Sequence, residues 1–183
     1  MKVTLLNGNP DRSNTGFDRY LTTLADQLEQ KGHTTDVIAL RDLKIHYCTG
    51  CFGCWLKTPG ECLLKDEGEI VLRSVINSDV TVWTSPVVMG FVSGLLKKTT
   101  DRFLPLIHPY MRFVQEEIHH RKRYDRYPKL ALLLQESPHN DARDVEIISD
   151  IYSRTALNFM SSLCFTRTMA APVEEVCNEI SVL

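Results

Sequence analysis

Short apolar runs alternate along the chain with segments whose apolar residues recur at every third or fourth position. Lys2–Leu6 is a compact apolar run ending in Asn7-Gly8-Asn9-Pro10, the pattern of a buried strand and its turn. Ser13 or Asn14 can cap the helix that follows, whose apolar side is Phe17, Leu21, Leu24, Ala25 and Leu28, and Gly32 closes it. Val37–Leu40 reads as a second strand. Residues 45–64 follow neither period and hold four of the six cysteines. A helix beginning at Asp66 carries Ile70, Val71, Val75 and Ile76, and Asp79–Thr84 is a third strand stopped by Ser85-Pro86. Ser93–Phe103 reads as a helix and Lys129–Gln135 as a fourth strand. A helix opened by Asp141 or Asp144 runs through Phe159, and Leu163–Met169 is a fifth strand.

Strands alternating with helices predict an α/β fold whose parallel sheet is covered on both faces. Right-handed crossovers make the simplest topology a doubly wound five-stranded sheet in the order 2-1-3-4-5. With no repeat or linker, residues 1–183 read as one domain. Residues 105–128 form an insertion in which Met111, Val114 and Ile118 suit a helix, and residues 171–183 carry no assignment.

Composition narrows the function. Apolar residues are 43% and charged residues 24%, with a formal net charge of −2, so bulk charge favours neither nucleic acid nor an acidic membrane surface. No apolar stretch approaches the length of a membrane span, and the N-terminal run is too short for a secretory signal. Six cysteines without such a signal point to the reducing cytoplasm, where clustered thiols are redox-active or bind metal.

The first strand-to-helix turn holds Asn9, Arg12, Ser13, Asn14 and Thr15. A helix N-terminus offers free N–H groups and a partial positive charge, so this loop suits a phosphate; the same residues also make an ordinary helix cap. Neither Gly-x-Gly-x-x-Gly nor Gly-Lys-Ser/Thr is present, which excludes the dinucleotide fingerprint and the P-loop. After the third strand come Ser85, Pro86, Val87, Val88, Met89 and Gly90. In the 2-1-3-4-5 order both loops border the crevice at the switch point, and Gly90 permits close approach of a flat ring.

With Asn7-Gly8-Asn9-Pro10 through Ser13-Asn14-Thr15, the cysteine loop of residues 45–64, Ser85-Pro86-Val87, Ser93-Gly94-Leu95-Leu96-Lys97 and Asp101-Arg102, the chain resembles the NADPH-dependent FMN reductase and iron–sulfur flavoprotein branch of the flavodoxin-like superfamily. The resemblance covers residues 1–103. It implies FMN, with its phosphate on residues 9–15 and its ring against residues 85–90, NAD(P)H as electron donor, and a homo-oligomer.

Cys48, Cys51 and Cys54 make two C-x2-C steps, and Cys62 follows seven residues later. Four thiolates so spaced can enclose a [4Fe–4S] cubane, and the resemblance implies that ligand set. Zinc and free redox-active thiols are the competing readings. Three functions follow: an oxidoreductase passing reducing equivalents through FMN to a small acceptor, an electron-transfer relay served by a carrier such as ferredoxin, or a metal-stabilised binding or sensor module. His108 and His139 are candidate proton donors near a flavin, and His119-His120-Arg121-Lys122-Arg123 with Arg126 reads as a solvated helix end. No hydrolytic triad is readable.

Overall fold

Alternate residues of each sheet strand point to opposite faces, and both sets are apolar here, so the sheet needs cover on both sides. The computed structural model, which describes residues 1–183 apart from the side chain of Ala142, supplies it. Strand β1 (Lys2–Asn7) leads through α1 (Thr15–Gln30) to β2 (Thr34–Ala39). The cysteine loop follows, with α2 (Gly53–Leu56), then α3 (Gly68–Ile76) and β3 (Val80–Val88). A short β4 (Phe91–Val92) and α4 (Gly94–Thr100) come next, and a 3-10 segment over Asp101–Leu106 extends α4. The hairpin β5 (Ile107–Val114) and β6 (Glu117–Lys122) precedes β7 (Lys129–Gln135), α5 (Ala142–Asn158), β8 (Leu163–Thr168) and α6 (Val173–Ser181).

The sheet order is β2-β1-β3-β7-β8 with parallel neighbours, the expected 2-1-3-4-5 arrangement. Leu130, Leu132 and Leu134 face Val71, Leu96 and Tyr152 on one side. Ala131 and Leu133 face the opposite core, where α1 contributes Leu21 and Leu24 and α6 contributes Ile180. Asn14 caps α1 by accepting from Phe17 N, and Asp141 with Asp144 forms a reciprocal capping box on α5.

Several expectations are corrected. The insertion is a hairpin, not a helix: exposure alternates from Met111 to Val114, and Gln115 and Glu116 take φ of 50° and 64° in a two-residue turn. The basic stretch therefore lies on and just beyond β6, and His119 is buried rather than solvated. Strand β3 does not stop at Ser85-Pro86. Its pairing with β1 ends at Thr84, so the missing Pro86 N–H costs no ladder bond on that side, while β7 pairs on through Gln135. The helix expected from Asp66 begins at Gly68, and that expected through Phe103 tightens to 3-10 at Asp101. Cys164 is half-buried on β8, the last strand of the sheet path. The tail is helix α6, which buries Val176, Cys177 and Ile180 against α1.

Candidate functional site

Two loops meet where β1 and β3 end. A side chain at Gly8 would bring its Cβ to 2.6 Å from Thr84 O and 2.9 Å from the Leu96 Cβ, so only glycine lets the first loop lie this close. Ser93 locks the junction: its Oγ donates to Gly8 O at 2.6 Å, and its N–H donates to Ser85 Oγ at 2.8 Å.

The five candidate phosphate residues divide by role. Asn9 is fully buried and shapes the loop, Nδ2 donating to Asp11 O at 2.9 Å and Oδ1 accepting from Asp11 N at 3.0 Å. Asn14 caps the helix and donates from Nδ2 to Gln135 Oε1 at 2.6 Å, tying the loop to the end of β7. Ser13 and Thr15 are exposed at the helix start, and Arg12 reaches outward to Asp42. Ser13 N and Oγ both donate to Asp11 Oδ1, at 2.8 and 2.7 Å, and these bonds hold the Asp11 carboxyl below its usual range. A carboxylate of the loop itself thus sits on the donors a phosphate would use. The donor set fits an oxyanion because it already holds one.

Behind the loop, Arg41 grips Asp18 with both arms, at 3.0 and 2.8 Å, and Nη1 also donates to Asn9 O at 3.2 Å. Burial pushes the Asp18 carboxyl up, but Arg41, Asn7 and Asn9 outweigh it and hold it low. Arg41 and Ser93 lie outside the candidate set because each is remote in sequence from the loop it supports.

On the ring side, Ser85 and Val87 are buried, and Ser85 acts as a joint rather than a wall. Pro86 continues the pairing with β7. Val88 is half-exposed and Met89 wholly exposed, at the tip of a two-residue turn in which Met89 and Gly90 have φ of 50° and 75°. An open cleft of about 620 Å³ lies between Val87–Gly90 and Ser137, His139, Asn140, Asp141 and Asp144. Val88 and Met89 offer it apolar surface, and His139, unlike His108, stands beside it.

All four loop cysteines line one small pocket with Phe52, Arg102 and Leu104. Cys48 and Cys51 are exposed, Cys62 is half-buried and Cys54 is buried. Trp55 fixes the loop, Nε1 donating to Leu104 O at 2.9 Å and Ile107 O at 3.0 Å while its ring stacks on Phe52. Hydrogen bonds from Gly53 N and the Thr49 side chain lower the Cys51 thiol; burial, then the neighbouring Cys62, raises Cys54. The Arg102 guanidinium is buried at the pocket wall. It pairs with Asp66 at 2.8 and 3.0 Å and donates to His46 O at 2.8 Å, leaving Nε without a partner.

Among the described residues, no three Cys, His, Asp or Glu side chains stand close enough to hold a single metal ion. Tetrahedral zinc at Zn–S distances of about 2.3 Å needs sulfurs about 3.8 Å apart. Thiols spread around a pocket wall fit that less well than a polynuclear group bound from several sides. The buried cation suits an anionic thiolate centre.

The two candidate sites sit at opposite ends of one element. Ser93, at the start of α4, touches the first loop, and Arg102, just past its end, touches the cysteine pocket.

This topology and crevice define a flavodoxin-like α/β domain. The family described as NADPH-dependent FMN reductase matches residues 1–117, and the chain belongs to it. An iron-sulfur flavoprotein of Archaeoglobus fulgidus is 36% identical over 102 residues, 56% of this chain and 48% of the relative. One of Methanocaldococcus jannaschii is 31% identical over 106 residues, 58% of this chain and 53% of its own. The chain thus spans about half the length of the curated relatives it matches. Among solved structures, an azoreductase from Bacillus anthracis superposes with a TM-score of 0.64 at 14% identity, over 97% of this chain and 93% of that one. An FMN-dependent NADH-azoreductase from the same species, in complex with FMN, gives 0.58 at 14% identity over 97% and 92%. At such identity these two share the fold.

Proposed function

We propose that the protein is an FMN-dependent oxidoreductase that passes reducing equivalents from NAD(P)H or a reduced carrier to a small acceptor in the cytoplasm. The observation that carries this reading is the crevice at the switch point of a chain belonging to the FMN reductase family, with an oxyanion cradle on one side and an apolar turn on the other. Among the described residues, no helix is long and apolar enough to cross a membrane. Bound FMN supplies the hydride and electron chemistry. The chain's part is to hold the phosphate with Ser13 and Thr15, joined by Arg12 when it swings in from Asp42, to keep the loop in shape with Asn9 and Asn14, and to place Val88, Met89 and Gly90 against the ring. Ser85 and Pro86 set the course of the strand behind them, and no side chain is assigned a catalytic role.

Replacing Ser13 and Thr15 together with alanine removes two phosphate donors, each worth about 1.5–3 kcal/mol as a charge-assisted bond. The double variant is expected to bind FMN at least tenfold more weakly in a fluorescence titration. Wild-type affinity in that variant places the phosphate elsewhere.

A second reading, an iron–sulfur electron relay, is favoured by the convergence of Cys48, Cys51, Cys54 and Cys62 on one pocket beside Arg102. On this reading those four thiolates hold the cluster and the donor is a carrier such as ferredoxin. Protein purified anaerobically should contain about four irons and four sulfides per chain. Cys51→Ala should lose both and keep FMN, because the phosphate loop is a separate element. Failed reconstitution with iron and sulfide leaves the plain FMN reductase.

A further inference from the structure

A second cavity, of about 420 Å³, opens between the loop before α3 and the C-terminal half of that helix. Its size lies within the range of small-molecule sites. Leu72 and Leu106, both buried, form the floor, and the half-buried Ile76 and Tyr124 stand at the sides. It lies toward the amino ends of the sheet strands, since Arg126 on its rim pairs with Asp79, the residue before β3, at 3.2 Å. The FMN crevice is at the carboxyl ends. Cys62 lines both this cavity and the cysteine pocket, forming part of the wall between them.

The rim states what the cavity can hold. Its carboxylates are matched: Glu69 accepts from Arg73 at 2.5 and 2.9 Å, and Glu61 pairs with Lys65 at 3.4 Å. Each carboxylate is thus offset by a neighbouring cation, and the rim holds no unbalanced negative charge to draw a cationic ligand. The guanidinium groups of Arg73 and Arg126 carry more N–H donors than these pairings use, so an acceptor-bearing edge is favoured. An apolar floor, a tyrosine ring at the side and donors at the mouth suit a flat body with carbonyl oxygens on its edge.

We propose that this cavity binds an uncharged, planar ring bearing carbonyl oxygens, of the quinone class, against the Cys62 wall and apart from the FMN crevice. Binding requires only the cavity; its use as the exit for electrons rests on the redox function proposed above.

The test is calorimetric titration with duroquinone, whose fully methylated ring cannot add to a thiol, with and without saturating FMN. The same affinity is expected in both. Ile76→Trp, which pushes a large ring into the cavity, and Tyr124→Ala, which removes one side, should each weaken binding roughly tenfold or more. Circular dichroism checks that both variants fold, and Tyr124→Ala, at a half-exposed position, decides the matter where Ile76→Trp does not fold. Displacement of the quinone by FMN, or wild-type affinity in a folded variant, overturns the proposal. Failure of FMN itself to bind would overturn the cofactor reading and leave the quinone result standing.

Discussion

Asp11 occupies the donors that an anion in the first loop would need. Its carboxylate accepts from Ser13 N and Oγ, the same groups assigned to the phosphate, and those bonds lower its pKa, so it is charged at neutral pH. A phosphate must displace it and tolerate a negative charge nearby. Asp11→Asn removes that charge while keeping the side chain's shape. We expect it to tighten FMN binding by roughly tenfold, the scale of one charge-assisted hydrogen bond released to the ligand, measured by titration of apoprotein at low and high salt. The gain should shrink in salt because part of it is repulsion at an exposed site. Looser binding by the variant would assign Asp11 a positive role in holding the loop open.

At the scale of elements, Asp66 and Arg102 pin α3 and the extension of α4 to the cysteine loop. Burial raises the Asp66 carboxyl, but hydrogen bonds from Arg102, from the His46 N–H and ring, and from Gly68 N outweigh it and hold it well below the ordinary range. Its stabilising contribution is therefore complete above the unfolded value of about 3.9 and is lost as pH falls toward the lower folded value. Asp66→Asn leaves a buried guanidinium short of its partner, at a cost of about 3–5 kcal/mol. In urea unfolding, the gap to wild type should stay constant between about pH 7 and pH 5 and narrow below about pH 4. An equal gap at pH 3 would mean that the ion pair is not its source.

The same scale shows what was legible in the chain. The sheet strands and their order could be read, and the caps to within one of two residues, Ser13 or Asn14 and Asp141 or Asp144, because period, capping chemistry and burial agree there. The hairpin could not, because Gln115-Glu116 is not turn chemistry and Met111, Val114 and Ile118 happen to sit at helical spacing. Helix α6 is short, and only its docking on α1 defines it. Of the candidate site, the loops were legible as motifs. The division of labour within them was not: that Asn9 and Ser85 act as struts follows from contacts closed by the fold, such as the bond from Ser93 N to Ser85 Oγ.

For the whole molecule, the hairpin is the surface on which copies of the chain are expected to meet. Strands β5 and β6 pair only with each other, so neither has a further strand partner, although Asn158 Oδ1 accepts from His120 N on β6 at 3.2 Å. One part is anchored: His119 is buried, with ring nitrogens 3.0 Å from Glu117 Oε2 and 3.2 Å from Asn158 Oδ1. Elsewhere Tyr110, Met111, Phe113 and Ile118 are 66%, 52%, 73% and 69% exposed, a density of bare apolar side chains that a lone two-stranded ribbon does not support in water. Strands without a further strand partner and bare apolar residues together invite pairing with another chain. A second copy always offers a matching surface, which is the argument for the homo-oligomer expected of this family. Sedimentation at micromolar concentration should give a dimer or larger species. Phe113→Glu with Ile118→Glu, at positions too exposed to carry the fold, should shift it to monomer while leaving the thermal transition of the monomer cooperative. Wild-type protein that sediments as a monomer and retains full activity would remove the hairpin from any role in assembly.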